Sequence, residues 1–233
     1  MNRYIPSLTF TAIITFFAWA GLSLPAQPLT DVSGVKEEGL HQHNVSQTDL
    51  FESVRMVLTT ENSTARFLVR EQLAGFDFPN DAVGETNEIS GVILFNAEGA
   101  VIPGESSVVV DITGLTSDSS RRDGYIQRNT LDTANYPTVE LVPIQTRNLE
   151  FPLPDSGTGT FDIIGNLTIK EATQPTSWRV NVQYGEGTMS GTARTEFTFA
   201  EFGMEKPSVG SVLSVADAIR LEIDFTVDVE YLD

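Results

Sequence analysis

Few residues of this chain are suited to metal or covalent chemistry, and they do not cluster. His41 and His43 form a His-x-His pair in a polar segment, and the spacing places no third ligand beside them. Because protein zinc sites use three or four fixed ligands, we predict no metal site and no cofactor. The chain has no cysteine, which excludes thiolate catalysis and a disulfide framework.

The acidic residues are numerous but dispersed. The chain carries 32 aspartates and glutamates against 14 lysines and arginines, which gives a formal charge of -18. A carboxylate pair of the kind that hydrolyses glycosides should interrupt an apolar row of a strand, and no acidic residue clearly does so. The acidic excess opposes binding to nucleic acid and to anionic membranes. We therefore predict that the chain is not an enzyme and that it binds no nucleic acid.

Two pairs of residues are suited to holding a ligand without reacting with it. Arg122 and Asp123 are adjacent, and they either grip a polar headgroup at the mouth of a cavity or anchor a loop. Phe76 and Phe78 lie near Gly and Pro in a predicted loop. They form either an apolar lid over an opening or a plug of the domain's own interior.

The elements that position these residues are mostly β-strands. From Ala218 to Tyr231 apolar and polar residues alternate strictly, which indicates one long strand with an apolar and a polar face. The same period recurs over 160–170, 177–184 and 189–199. Because the turns are short and no crossover helices intervene, eight or nine antiparallel strands are predicted. A closed or nearly closed barrel is favoured, and a sandwich is the second choice.

The remaining elements are read from shorter patterns. Pro143 interrupts a strand over 138–146, which indicates an edge or a bulge. A short helix or an ordered loop is expected near 120–136, where the β pattern breaks. Further strands are predicted over 55–60, 64–71, 85–96 and 106–112, with a loop over 75–84.

The apolar face of the last strand is predicted to point inward. Five of its six polar positions are charged, and packing them into a narrow lumen would require nearly complete pairing. Aromatic residues also lie at varied heights along the strands, whereas membrane barrels gather them in girdles at both ends, so an outer-membrane barrel is less favoured. The small residues Gly165, Gly191, Ala193 and Thr195 in the apolar rows either leave room for a cavity or ease a taper.

The inward rows supply the candidate lining of a ligand cavity. Trp178 and Tyr184 among them either stack on a ligand ring or serve as core. The predicted lining residues are Phe161, Ile163, Leu167, Ile169, Trp178, Val180, Val182, Tyr184, Phe197, Phe199, Ile219, Leu221, Ile223 and Phe225.

The amino terminus has the layout of a secretory signal. A 17-residue uncharged run from Leu8 to Leu24 follows Arg3, and cleavage is expected after Ala20 or Ala26, with an uncleaved anchor as the alternative. We predict a signal peptide over 1–26, a flexible polar spacer over 27–53 and a β domain over 54–233. The protein is then expected to be periplasmic or secreted.

Three motifs resemble those of a known family. Residues 165–175 read GNLTIKEATQP, and Arg122-Asp123 is followed by Tyr136-Pro137-Thr138. Downstream, residues 201–204 read EFGM. Together these resemble the YceI-like family of lipid and polyisoprenoid-binding proteins over residues 54–231. The chain departs from the family pattern at Glu171, where Gly is usual, and at Glu201, where Asp is usual.

The resemblance implies an extended, lipocalin-like, eight-stranded antiparallel barrel. Its elongated apolar pocket would hold the tail of an amphiphilic isoprenoid, prenyl quinone or fatty amide, with no chemistry performed on the ligand. Transport, storage and stress protection are the roles it implies. A non-binding structural or stress-related β domain with a filled core is the alternative, and the oligomeric state, including a homodimer, is left open.

Overall fold

A computed structural model describes residues 51–75, 77–208 and 212–233. The predicted signal peptide, the two histidines, most of the predicted spacer and Phe76 lie outside the described residues. Within the described ranges, no helix is long and apolar enough to cross a membrane.

The described residues form twelve strands in one antiparallel sheet, with one short helix. The helix, α1 (Ser120–Tyr125), continues into one turn of π-helix (Ile126–Thr130). Turns of 3-10 helix cover Pro103–Glu105 and Phe199–Phe202. The strands are β1 (Ser53–Leu58), β2 (Ser63–Leu73), β3 (Asn80–Thr86), β4 (Ile89–Asn96), β5 (Ser107–Asp111), β6 (Thr116–Ser117), β7 (Thr138–Arg147), β8 (Gly157–Ile169), β9 (Ala172–Gly185), β10 (Thr188–Thr198), β11 (Val212–Asp228) and β12 (Glu230–Leu232).

The last stretch of chain closes the barrel. β11 pairs with β10, and after Val229 the chain continues as β12, which pairs with β1. Since β1, β4, β5, β7, β8, β9 and β10 are neighbours in that order, the hydrogen-bonded ring has eight members when β11 and β12 are counted as one. The predicted eight-stranded antiparallel barrel is confirmed. β2, β3 and β6 extend from the other edge of β11 and support α1.

Local turns shift several boundaries from those predicted. The expected loop over 75–84 is wrong at its second half, because β3 begins at Asn80 and pairs with β2 through Val69 and Ala82. The expected strand over 85–96 is two strands, because the amide of Glu88 donates to the Thr86 hydroxyl and forms a turn. The long closing strand is interrupted at Val229, whose amide donates to Gly187.

Two predictions near the middle of the chain are confirmed. The register between β7 and β8 shifts between Pro143 and Gln145, which is the bulge expected from a proline inside a strand. The helix expected near 120–136 is α1 with its π-helical turn.

One end of the barrel is filled by its own side chains. The apolar rows of β8, β9, β10 and the second half of β11 point inward, as predicted, and their residues are the most buried of each strand. At the filled end, Tyr184 is opposite Met189, which is opposite Val227, and all three are buried. The other end, where α1 lies, is hollow.

Candidate functional site

The hollow end contains a cavity of about 1140 Å³. Its walls come from α1 and its following turn and from strands on all sides of the barrel, including β2, β5, β8 and β11. Its volume is slightly above the range of roughly 300 to 1,000 Å³ typical of pockets for drug-sized ligands.

Eight of the predicted lining residues lie on this cavity wall. They come from four adjacent strands and from the turn after β10, and the register places them at the same end of the barrel. The eight are Leu167, Ile169, Trp178, Phe197, Phe199, Ile219, Leu221 and Ile223. Trp178 is buried, and its indole Nε1 donates to the hydroxyl of Thr176 at 3.0 Å. Ligand binding by these residues stays a prediction.

The other six predicted lining residues lie below the cavity, in the filled end. They are Phe161, Ile163, Val180, Val182, Tyr184 and Phe225. Alternation identifies the inward face of a strand but not the height at which the interior becomes hollow. The structure therefore brings these six into the core and not onto the cavity wall.

The small residues that suggested a cavity are not on its wall either. A Cβ atom at Gly165 would lie 2.6 Å from the carbonyl oxygen of Val142, and one at Gly191 would lie 2.2 Å from that of Asn181. These glycines allow neighbouring strands to approach closely. Ala193 and Thr195 are buried but do not line the cavity.

β2 supplies a row of wall residues that the sequence reasoning did not assign to the site. Ala65, Phe67, Val69, Glu71 and Leu73 all line the cavity, at every second position of the strand. The period of two over this stretch could have found them. Glu71 also corrects the expectation that no carboxylate interrupts an apolar row.

Glu71 is neutralised by Arg122. The guanidinium of Arg122 donates to the Glu71 carboxylate at 2.6 Å, and the two side chains are 17% and 7% exposed. Burial alone would lower the pKa of Arg122, but its ion pairs with Asp118 and Glu71 outweigh burial and raise that pKa. Arg122, which was predicted to lie at the mouth, lines the cavity and is engaged in an ion pair that joins α1 to β2. Its contact with a ligand stays a prediction.

Asp123, the partner of Arg122 in the predicted pair, anchors the loop before α1. Its carboxylate accepts from the amide of Ser117 at 3.0 Å and from the Ser117 hydroxyl at 2.6 Å. It does not line the cavity. The adjacent Arg122 and Asp123 therefore have different targets.

A second arginine of the wall, Arg66 on β2, is also paired. It forms ion pairs with Asp224 of β11 and with Glu85 of β3. Burial would raise the pKa of Asp224, but the hydrogen bond from Thr192 and the ion pair with Arg66 outweigh burial and lower it. This network ties the three neighbouring strands together beside the cavity.

The mouth of the cavity is marked by wall residues that are themselves exposed. We call Ala74, Asp118, Arg121 and Arg128 the mouth residues. Phe78, predicted as part of a lid, is 81% exposed and is not on the wall. Phe76 lies outside the described residues.

Nothing in the described ranges groups three histidine or acidic side chains so that they could hold a metal ion. The polar groups of the cavity wall are arginines, carboxylates already paired with arginines, and hydroxyls. The arrangement is suited to enclosing an apolar molecule with a polar end.

The two residues that depart from the family pattern, Glu171 and Glu201, both make hydrogen bonds in this chain. Glu171, which replaces the usual glycine, accepts from the Tyr136 hydroxyl at 2.5 Å, and this hydrogen bond raises the pKa of Tyr136. Glu201, which replaces the usual aspartate, accepts from the amide and the hydroxyl of Thr198 in a capping box. Both replacements therefore have partners in this chain.

Comparisons with solved structures place the fold among similar barrels. A polyisoprenoid-binding domain from Saccharophagus degradans superposes with a TM-score of 0.59 at 13% identity, over 76% of this chain and 98% of that chain. BcnA from Burkholderia cenocepacia gives a TM-score of 0.54 at 15% identity, over 72% of this chain and 98% of that one. The YceI protein of Campylobacter jejuni gives 0.51 at 13% identity, over 67% and 90%.

Among curated protein sequences, no significant match was found. The family model described as the YceI-like domain matches residues 56–227. This range begins within β1, ends one residue before the end of β11 and includes every wall residue of the cavity. The chain belongs to the YceI-like domain family.

Proposed function

We propose that this chain is an exported protein that binds an amphiphilic lipid, with the apolar tail held in the barrel cavity. The observation that carries the proposal is the cavity itself, whose deep wall is made of apolar strand residues such as Leu167, Trp178 and Ile223. A polyisoprenoid, a prenyl quinone or a fatty amide fits this chemistry. Transport, storage or protection under stress would each use the same binding step.

The hydrophobic effect supplies the driving force. Burying a tail gains up to about 0.8 kcal/mol per CH₂, reduced by the cost of ordering the chain. A cavity of about 1140 Å³ offers more room than a drug-sized ligand needs. The neighbour from Saccharophagus degradans, a polyisoprenoid-binding domain, supports the same class of ligand.

We propose no reaction for this chain. Glu71 and Glu222, two carboxylates of the wall, are each paired with an arginine, Arg122 and Arg194 respectively. Both carboxylates are therefore engaged in ion pairs within the protein, Glu71 with an arginine of α1 and Glu222 with an arginine of β10. The strongly acidic chain, at -18, also disfavours nucleic acid as a partner.

Export is proposed from the amino-terminal sequence. The uncharged run from Leu8 to Leu24, the preceding Arg3 and the small residues near Ala20 and Ala26 are typical of a signal peptide. A periplasmic or secreted carrier would then handle a lipid that is poorly soluble in water.

Extraction of the purified protein tests the proposal. The protein is purified without detergent and extracted with organic solvent, and the extract is analysed by mass spectrometry. We expect an amphiphile with a long tail in near-stoichiometric amount. The variant Ala82→Phe places a phenyl ring at a buried wall position of β3 and should leave less lipid bound. An empty extract from the unmodified protein, with no saturable binding of added geranylgeraniol, would contradict the proposal.

A further inference from the structure

The arginines of the cavity wall divide into two classes. Arg66 and Arg122 form ion pairs with acidic partners. Arg121 and Arg128, at the mouth, form no ion pair or side-chain hydrogen bond with any described residue. In a chain with 32 acidic residues and 14 basic ones, two unpaired cations on one cavity wall are unexpected.

The acidic residues nearest in sequence are already engaged. Asp118 is paired with Arg122, and Asp123 accepts from Ser117. Asp132 accepts from the side-chain amide of Asn135 at 2.9 Å. The segment therefore leaves the charges of Arg121 and Arg128 without a local partner.

Two hydroxyls of the same segment are also without partners. Tyr125 and Thr130 line the cavity, and within the described residues neither hydroxyl makes a hydrogen bond. Thr130 is 7% exposed, so its Oγ1 is a buried polar atom with no partner. Buried hydroxyls are nearly always hydrogen-bonded, so the Thr130 hydroxyl leaves hydrogen-bonding capacity unused beside the cavity.

Gly124 leaves room for the Arg128 guanidinium against the helix. A Cβ atom at Gly124 would lie 3.0 Å from Nη1 of Arg128 and 3.2 Å from its Nη2, so the Arg128 guanidinium folds back against the helix. Gly124 is three residues after Arg121, which is about one turn of α-helix. Arg121 and Arg128 therefore both belong to this short helical segment, and both line the cavity at its mouth.

We propose that Arg121 and Arg128, with the hydroxyls of Tyr125 and Thr130, form a site for an anionic headgroup, a carboxylate or a phosphate monoester, on an amphiphile whose tail occupies the cavity. This inference rests on the proposed function and specifies its ligand class. A guanidinium matches either anion with two parallel hydrogen bonds. Because both arginines are exposed, the interaction is weakened by salt.

Pairs of ligands with identical tails test the headgroup separately from the tail. Farnesyl phosphate is compared with farnesol, and hexadecanoate with hexadecanol, by calorimetric titration of delipidated full-length protein. At about 50 mM salt we expect each anion to bind at least about tenfold more tightly than its alcohol, with the advantage shrinking as salt is raised. Equal affinities would overturn the headgroup site and leave the proposed function standing. Binding of neither member of either pair would overturn both.

Variants locate the site. The double variant Arg121→Gln/Arg128→Gln should no longer bind farnesyl phosphate more tightly than farnesol, and its affinity for farnesol should be unchanged. The control Arg55→Gln/Arg147→Gln removes two arginines that are not on the wall, Arg55, whose side chain is 42% exposed, and the exposed Arg147. It should keep the tighter binding of farnesyl phosphate. The assignment would be contradicted if Arg121→Gln/Arg128→Gln kept its preference for farnesyl phosphate over farnesol. It would also be contradicted if the control lost that preference to the same extent.

Two further measurements test the hydroxyl and the source of the anion. Thr130→Val should weaken the binding of farnesyl phosphate severalfold and leave the binding of farnesol unchanged. An unchanged affinity for farnesyl phosphate would remove Thr130 from the site.

Inorganic phosphate should compete only weakly with farnesyl phosphate, because it has no tail. If inorganic phosphate binds as tightly as farnesyl phosphate and depends on the same arginines, the site takes a free anion and the proposal is wrong.

Discussion

The carboxylate of Glu71 and the guanidinium of Arg122 lie 2.6 Å apart on the cavity wall, where they join β2 to α1. The contact brings together residues 51 positions apart in the chain. It fixes α1, and with it the polar end of the cavity, against the open side of the barrel. The pair is thus a structural link at the site and not a free headgroup clamp.

Removing one member of this pair should destabilise the fold. Arg122→Leu leaves the buried Glu71 carboxylate without its countercharge, and we expect a loss of about 2 to 4 kcal/mol in the free energy of unfolding. Glu71→Leu should cost less, because Arg122 keeps its ion pair with Asp118. The double variant should be more stable than the sum of the two changes predicts. Urea denaturation of the unmodified protein, the two single variants and the double variant gives the coupling energy between Glu71 and Arg122.

The exposed ion pair of Arg55 and Glu230 is the control for the double-variant cycle of Glu71 and Arg122. Its side chains are 42% and 46% exposed, so the same double-variant cycle should give a coupling below about 1 kcal/mol. A coupling at Glu71 and Arg122 no larger than this would contradict the structural role of the pair.

The Thr130 hydroxyl should cost stability in the protein without ligand. Thr130→Val removes a buried hydroxyl that has no partner among the described residues, and it keeps the shape of the side chain. We expect thermal unfolding to show a gain of up to about 1 kcal/mol. Thr176→Val is the matched change with the opposite sign, because Trp178 Nε1 donates to the Thr176 hydroxyl and would lose its acceptor. Its expected cost is about 1 to 2 kcal/mol.

Gly124 should tolerate a side chain better than the glycines between strands. Gly124→Ala adds a methyl group within α1, and its close contact is with the flexible end of Arg128. We expect a gain of about 0.5 kcal/mol from helix propensity. Gly191→Ala should instead destabilise, since its Cβ would lie 2.2 Å from a backbone carbonyl oxygen. Equal effects at the two positions, measured by urea denaturation, would contradict this account.

The network of Arg66 and Asp224 predicts an acid dependence. The pKa of Asp224 is lowered in the folded protein by Thr192 and Arg66, which outweigh burial. Its contribution to stability is therefore present above the unfolded-state pKa of about 3.9 and is lost as the pH falls through the lower folded value. Because the side chain is 42% exposed, the contribution should stay below about 1 kcal/mol. Stability measured from about pH 7 to about pH 2 should fall less steeply in Asp224→Asn, and parallel curves for the two proteins would contradict the assignment.

The architecture was predictable from sequence because alternation is a local property. The rows of β8 to β11 appear directly in the order of residues, and so does the bulge at Pro143. The start of β3 at Asn80 was not predictable in this way, since it depends on pairing with β2.

The candidate site was only partly predictable. Trp178 and Ile223 could be assigned to an inward face, but whether a residue meets a cavity or packed side chains depends on its height in the barrel. Val180, two residues from Trp178 on the same face, lies in the filled end. Arg121 and Arg128 could not be assigned to the wall from the sequence, because their position depends on how α1 lies across the open side of the barrel.

Fluorescence titration of Trp178 tests the central claim most directly. Trp178 is buried on the cavity wall, and the other tryptophan of the chain, Trp19, lies in the predicted signal peptide. Delipidated mature protein titrated with geranylgeraniol should show a saturable change in Trp178 emission. That change should be weakened in Ala82→Phe, which fills the cavity, and kept in Ala100→Phe, at an exposed turn away from it. A flat titration of the unmodified protein, or a response that the cavity-filling variant leaves unchanged, would contradict the claim that the cavity binds an apolar tail.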